Sequence, residues 1–230
     1  MARKLVKVRL LLKPKEVMPW KTAKEVARIT FSKNKTGNPV ELGHGQYGKI
    51  FLGRIRFKDG TVHRVAIKRF ERRLSDEKVA LYKYVIRDLR NAGVGLPKMD
   101  FVKLPDGEWV QVSQLFGSLK KGSKIMSGFE TKEQTIEALK ELTKAANAGY
   151  LPIHDLIGSF KSGGSIPIDL DLLVFYGKNP ANERIKVLID LIKVIAEPGE
   201  LKEFVKTVVN AANPEVKKEF LRQLKERKPG

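Results

Sequence analysis

Apolar and polar residues alternate along the stretch from Glu41 to Phe70 in the manner of paired strands. Ile50, Leu52, Ile55 and Phe57 lead into the turn Lys58-Asp59-Gly60, and His63–Phe70 (HRVAIKRF) returns. The period then changes. Val79, Tyr82, Ile86 and Leu89 recur at helical spacing behind Ser75, a residue suited to cap a helix start, and Asn91-Ala92-Gly93 supplies the stop. A second hairpin is expected over 96–116, turning at Pro105-Asp106-Gly107. Upstream, Lys4–Leu12 predicts a short strand and Lys15–Ile29 a helix disturbed by Pro19.

The segment Gly117–Phe129 has no periodicity and three glycines, which predicts a linker. Beyond it the helical period dominates. Thr131 and Gln134 form a capping-box pattern ahead of Ile136, Leu139 and Leu142, and Gly149 ends that helix. Short apolar runs broken by glycine between Tyr150 and Gly177 predict a small hairpin, with the acids near Ile168 and Leu172 on a strand. Asn179-Pro180 opens a helix carrying Ile185, Leu188, Ile189, Ile192 and Ile195. Two more helices are expected at roughly 200–211 and 214–227. The expected fold class is α+β. Its parts are a basic extension over 1–40, a strand-rich lobe over 41–117, a hinge or linker over 118–130, and a helical lobe over 131–230.

Composition narrows the chemistry. With no cysteine and only three histidines in the 230 residues, neither a disulfide framework nor a thiolate metal site is possible, and the histidine spacing fits no zinc motif. Lys7 and Arg9 interrupt the apolar run at the start, and no run approaches the ~20 apolar residues of a membrane span, so the expectation is a soluble, cytoplasmic protein. The net charge is +19, and residues 1–40 hold eleven Lys/Arg against Glu16 and Glu25. Such a field attracts phosphates, whether of nucleotides, of RNA or of acidic protein partners. A plain solvated surface is the competing reading of the same residues.

Gly43, Gly45 and Gly48 stand in a G-x-G-x-x-G pattern, and glycine inside regular structure is costly without a reason. In a dinucleotide-binding unit these glycines would open a helix, but Lys49–Phe57 (KIFLGRIRF) reads as a strand, so that reading fails. In a hairpin that covers nucleotide phosphates, the glycines let the backbone close over them and the next strand supplies a lysine. Lys68 follows across one hairpin, in the string Val65-Ala66-Ile67-Lys68.

Over Glu41–Phe175 the chain resembles the protein-kinase-like superfamily, most strongly from Gly43 to Lys68. The resemblance implies a two-lobed fold with an antiparallel-sheet N-lobe and a small helical C-lobe, taking ATP and Mg²⁺. It implies that the glycine loop and Lys68 hold the phosphates and that a glutamate on the following helix pairs with Lys68. Glu77 is the matching residue, and a first-turn acid favouring the helix dipole is its other reading. The Gln114 to Phe116 backbone matches the segment that hydrogen-bonds adenine. His154-Asp155-Leu156 resembles the catalytic loop, with Asp155 as the base, although a polar loop cap is also open to it. Asp169 in IPIDLD matches the metal-binding aspartate, with Asp171 as a second ligand.

The sequence departs from the family at Phe160, where an asparagine is expected, and at Asp169-Leu170-Asp171, which replaces Asp-Phe-Gly. The short connection from Asp171 to Asn179 leaves no room for a long activation segment. In this the chain is similar to the trimmed kinases of the Rio and aminoglycoside-phosphotransferase kind. Three functions remain open: a slow serine/threonine-kinase-like phosphotransferase; a nucleotide-binding module or pseudokinase without efficient transfer; and a basic RNA- or ribosome-associated protein acting through residues 1–40.

Overall fold

The computed structural model describes residues 26–45, 47–115, 119–121, 131–152, 157–160, 165–167 and 170–226. It is an α+β structure with an antiparallel sheet and, among the described residues, six helices. One compact unit comprises the described residues up to Arg73 with Lys98–Leu119; the other comprises Leu74–Pro97 and the described residues from Lys120 onward.

The first unit is built from β1 (Val26–Phe31), β2 (Glu41–Gly45), β3 (Gly48–Phe57), β4 (Val62–Phe70), β5 (Met99–Lys103) and β6 (Trp109–Gln114). They form one sheet in the order β1-β3-β4-β6-β5, with β2 also pairing β3. The two expected hairpins are present. At Asp59-Gly60 the Asp59 carboxylate accepts from the Thr61 amide at 3.0 Å and its hydroxyl at 2.7 Å. At Pro105–Gly107 the Gly107 amide donates to the Leu104 carbonyl at 2.9 Å.

Alternation along the strands sends Ile55, Phe57, Val65, Ile67, Val110 and Val112 to one face, where they form a core with Ile29 and Phe31 packed against it. Burying side chains of this size contributes about 1.5–3 kcal/mol each. The helix expected to run to Ile29 is not found there: Val26–Phe31 is the edge strand of this sheet, so the sheet begins upstream of Glu41. Val26, Ile29, Thr30 and Phe31 are β-branched or aromatic, and such residues favour a pleated, half-buried surface over a helix.

The second unit holds α1 (Asp76–Asn91), β7 (Leu119–Lys121, at the junction of the units), α2 (Lys132–Asn147), β8 (Ile157–Phe160), β9 (Ser165–Pro167), α3 (Asp171–Tyr176), α4 (Ala181–Ile195), α5 (Leu201–Ala211) and α6 (Pro214–Glu226). The Ser75 hydroxyl accepts from the Lys78 amide at 3.2 Å, and Val79, Tyr82, Val85, Ile86 and Leu89 are the buried face of α1. The Thr131 hydroxyl caps α2 by accepting from the Gln134 amide at 3.3 Å. Leu139, Leu142, Leu188, Phe204 and Phe220 are among the fully buried side chains of this unit.

Two expectations are corrected here. Leu119–Lys121, inside the expected linker, is a strand of a small sheet ordered β7-β8-β9. Asp171 begins a helix rather than lying on a strand: consecutive Leu173 and Val174 turn inward while Phe175 and Tyr176 remain exposed, the grouping of a helical turn and not the alternation of a strand. The strand Lys4–Leu12 lies outside the described residues. No helix among the described residues is long and apolar enough to cross a membrane.

Candidate functional site

The glycine-rich segment forms the hairpin of β2 and β3. Gly45 opposes Gly48, and Gly43 opposes Ile50 after a bulge between Glu41 and Gly43. The two outer glycines are glycine for different reasons. Gly48 has φ +152°, and a Cβ there would lie 2.1 Å from the Arg69 carbonyl oxygen, so close strand packing excludes any side chain. A Cβ on Gly43 would meet nothing within 4 Å. Among the described residues, packing leaves the space beside Gly43 open.

Lys68 sits on β4, directly opposite Ile50 of β3 and Gln111 of β6. Gly43, Ile50, Lys68 and Gln111 therefore form one row across four strands. With strands about 4.8 Å apart, Gly43 and Lys68 stand roughly 10 Å from each other along that row. Val65 and Ile67 enter the core, so alternation puts Ala66 and Lys68 on the other face. The Lys68 ammonium lies 5.4 Å from the Phe70 ring centroid, and Phe70 stacks on Phe101 with centroids 6.2 Å apart. This aromatic pair guides the lysine stem along the strand toward the glycine hairpin, since Phe70 opposes Gly48.

Arg69 makes a two-pronged ion pair with Glu108, whose side chain is buried, and the hydrogen bond to that carboxylate holds the guanidinium pKa above its ordinary value. Gln111 has no counterpart among the residues predicted from sequence. It is 7% exposed, and the alternation of Trp109–Gln114 was the available signal for it. Gln114 ends β6, and its amide donates to the Lys98 carbonyl at 2.8 Å, so that N–H is used within the sheet. Phe116 lies outside the described residues.

In the second unit, Glu77 is exposed in the first turn of α1, where hydrogen bonding to Ser75 and to the local backbone lowers its pKa. Asp171 is 4% exposed and accepts a 2.7 Å hydrogen bond from the Tyr82 hydroxyl, which joins α3 to α1. Asp155 and Asp169 lie outside the described residues. Phe160 ends β8. Among the described residues no three His, Asp or Glu side chains cluster as a metal site would require. Thus Lys68 and the glycines share one sheet face, whereas Glu77 and Asp171 belong to the other unit.

Neither the scan of known family models nor the search of curated proteins finds a match for this chain.

Proposed function

We propose that this chain is an ATP- and Mg²⁺-dependent phosphotransferase with a two-lobed, protein-kinase-like fold. The row Gly43–Ile50–Lys68–Gln111 is the observation that carries the reading. It puts a cation two strands away, on the same sheet face, from a glycine beside which a Cβ would meet nothing within 4 Å. A phosphate chain can lie against such a backbone without a clash, and an ammonium at that range neutralises it. The order of elements agrees: glycine hairpin, lysine strand, helix, second hairpin.

In this reading Lys68 binds the α/β-phosphates and the β2–β3 hairpin covers them. Asp169 would hold Mg²⁺, which would supply charge neutralisation to the phosphates. Asp155 would accept the proton of the acceptor hydroxyl. Asp171, proposed from sequence as a second metal ligand, is bonded to Tyr82, an arrangement that suits orienting the segment after Asp169. Between Asp171 and the start of α4 there is only α3 and the stretch Gly177–Pro180, too little chain for a peptide-docking segment. The acceptor is therefore not an extended peptide, and the setting is the cytoplasm, where Mg·ATP is plentiful.

Phe160 supports a second reading, a nucleotide-binding module or pseudokinase, because an aromatic ring in the asparagine position cannot ligate a second Mg²⁺. Each 1.4 kcal/mol of lost transition-state stabilisation slows transfer about tenfold. Calorimetry with Mg·ATP, beside a phosphate-transfer assay on generic basic proteins and peptides, tests both. The phosphotransferase gives saturable binding with slow transfer, autophosphorylation included; rapid peptide phosphorylation overturns the slow-kinase reading, and binding with no transfer of any kind leaves the module. Absence of Mg·ATP binding overturns both.

A further inference from the structure

On the sheet face away from the apolar core, β1, β3 and β4 bring arginines together. Arg28 opposes Arg56, Thr30 opposes Arg54, Arg54 opposes Arg64, and Arg56 opposes Val62. Arg28, Thr30, Arg54, Arg56 and Val62 line a groove of about 370 Å³. All four arginines are exposed. Among the described residues none of them pairs with a carboxylate, in contrast to Arg69 with Glu108 and Arg222 with Glu219. Like charges set directly opposite each other destabilise a sheet, yet this one carries two such pairs, Arg28–Arg56 and Arg54–Arg64. An anion bound across them would offset that repulsion.

The occupant follows from the groove's chemistry. Guanidinium forks match phosphate oxygens two at a time. Neighbours lie about 5 Å apart across strands and about 7 Å apart along them, comparable to the separation of successive phosphates. None of the six residues at these register positions is aromatic, so unpaired bases find no stacking platform and contact falls on the backbone. Paired RNA presents its sugar–phosphate backbone outward, and Thr30 adds an uncharged hydroxyl among the cations that can partner a ribose 2′-OH. We propose that the groove lined by Arg28, Thr30, Arg54, Arg56 and Val62, together with Arg64, which opposes Arg54 across β3 and β4, binds the backbone of double-stranded RNA. This site uses neither Lys68 nor the glycine hairpin, so it stands or falls separately from nucleotide binding.

The test is titration of the full chain with a labelled RNA duplex of about 16 base pairs across a range of salt. The groove variant replaces Arg28, Arg54, Arg56 and Arg64 with Gln. A matched control replaces four exposed lysines elsewhere, Lys186, Lys193, Lys206 and Lys217, so that both lose the same charge. The groove variant is expected to bind at least ~30-fold more weakly and to lose about three to four from the slope of log affinity against log salt, at roughly 0.9 per phosphate contact. The control stays within about threefold of the parent, as expected for charges that make no phosphate contact. A DNA duplex of the same sequence binds more weakly than RNA, and polyglutamate does not displace the RNA. If the quadruple variant melts early, the single variant Arg54→Gln serves, with a slope loss of about one. Unchanged RNA binding by the groove variants, an equal loss in the lysine control, equal DNA binding, or displacement by polyglutamate each overturns the proposal.

Discussion

Gly43 and Lys68 oppose the same residue, Ile50, from its two sides: β2 supplies the glycine and β4 the lysine. They are far apart in sequence and two strands apart in space, on a framework fixed by backbone hydrogen bonds rather than by side-chain packing at Gly43. A phosphate-binding surface benefits from that arrangement, since strands hold a charge more precisely than loops do.

Lys68→Met keeps the length and apolar stem of the side chain and deletes its charge. A charge-assisted hydrogen bond contributes about 1.5–3 kcal/mol, so Mg·ATP affinity should fall roughly 10- to 100-fold. The core residues Val65 and Ile67 are untouched, and the melting temperature should stay within a few degrees. Calorimetry and thermal melting on the same preparation check both halves. Parent-like binding would remove Lys68 from the site.

Tyr82→Phe should destabilise the second unit. The Tyr82 hydroxyl and the Asp171 carboxylate are both buried and 2.7 Å apart, and the variant withdraws a donor from a buried charge at a cost of about 1–3 kcal/mol. Urea denaturation of Tyr82→Phe, Asp171→Asn and the double variant gives the coupling. Additive losses would show that the bond stabilises nothing.

The fold was legible where local signals agreed. Ser75 and the spacing of Val79, Tyr82, Ile86 and Leu89 specify α1 without help from the rest of the chain, and Asp-Gly turns mark both hairpins. Asp171–Tyr176 was not legible, because the short run from Leu172 to Tyr176 is continuously apolar and has no period to tell helix from strand. Nor was β1, whose Arg28 interrupts the alternation at a bulge. For the site, sequence spacing identified Lys68 and the glycines as candidates but not their row. Gly45–Gly48, His44–Lys49 and Gly43–Ile50 run in one register from the turn, but the row is completed by Ile50 opposite Lys68 and Lys68 opposite Gln111, pairings between strands too far apart in sequence for spacing to align. The partner of Asp171 is Tyr82, too distant in sequence for any local pattern to reveal.

Acid should weaken α6 in a way that depends on one carboxylate. Hydrogen bonds from Arg222, and then from Gln223, lower the Glu219 pKa from 4.5 to about 2. The folded-state pKa is depressed, so the contribution is fully present above the unfolded value of about 4.5 and is lost as pH falls toward 2. Glu219→Gln removes the titration. The difference in melting temperature between parent and variant should be largest above about pH 4.5 and vanish as pH falls through about 2. A difference independent of pH would show that the pair does not respond to protonation.

The two outer glycines of the hairpin should respond oppositely to alanine. At Gly48 the new Cβ would collide with the Arg69 carbonyl at 2.1 Å and lie at φ +152°, a conformation side chains avoid. The backbone of β3 or β4 must move, and Gly48→Ala should lose about 1–3 kcal/mol of stability, with nucleotide binding impaired only as far as the hairpin is distorted. At Gly43 the added methyl meets nothing within 4 Å, so Gly43→Ala should fold with stability within about 0.5 kcal/mol of the parent. If phosphates lie against that backbone, even a methyl intrudes where they pass, and Gly43→Val more so. Mg·ATP affinity should therefore fall from parent to Gly43→Ala to Gly43→Val while urea midpoints stay nearly level. A rank order in affinity without one in stability is what a ligand-facing glycine produces. Parent-like affinity in Gly43→Val would mean that no nucleotide passes over this hairpin.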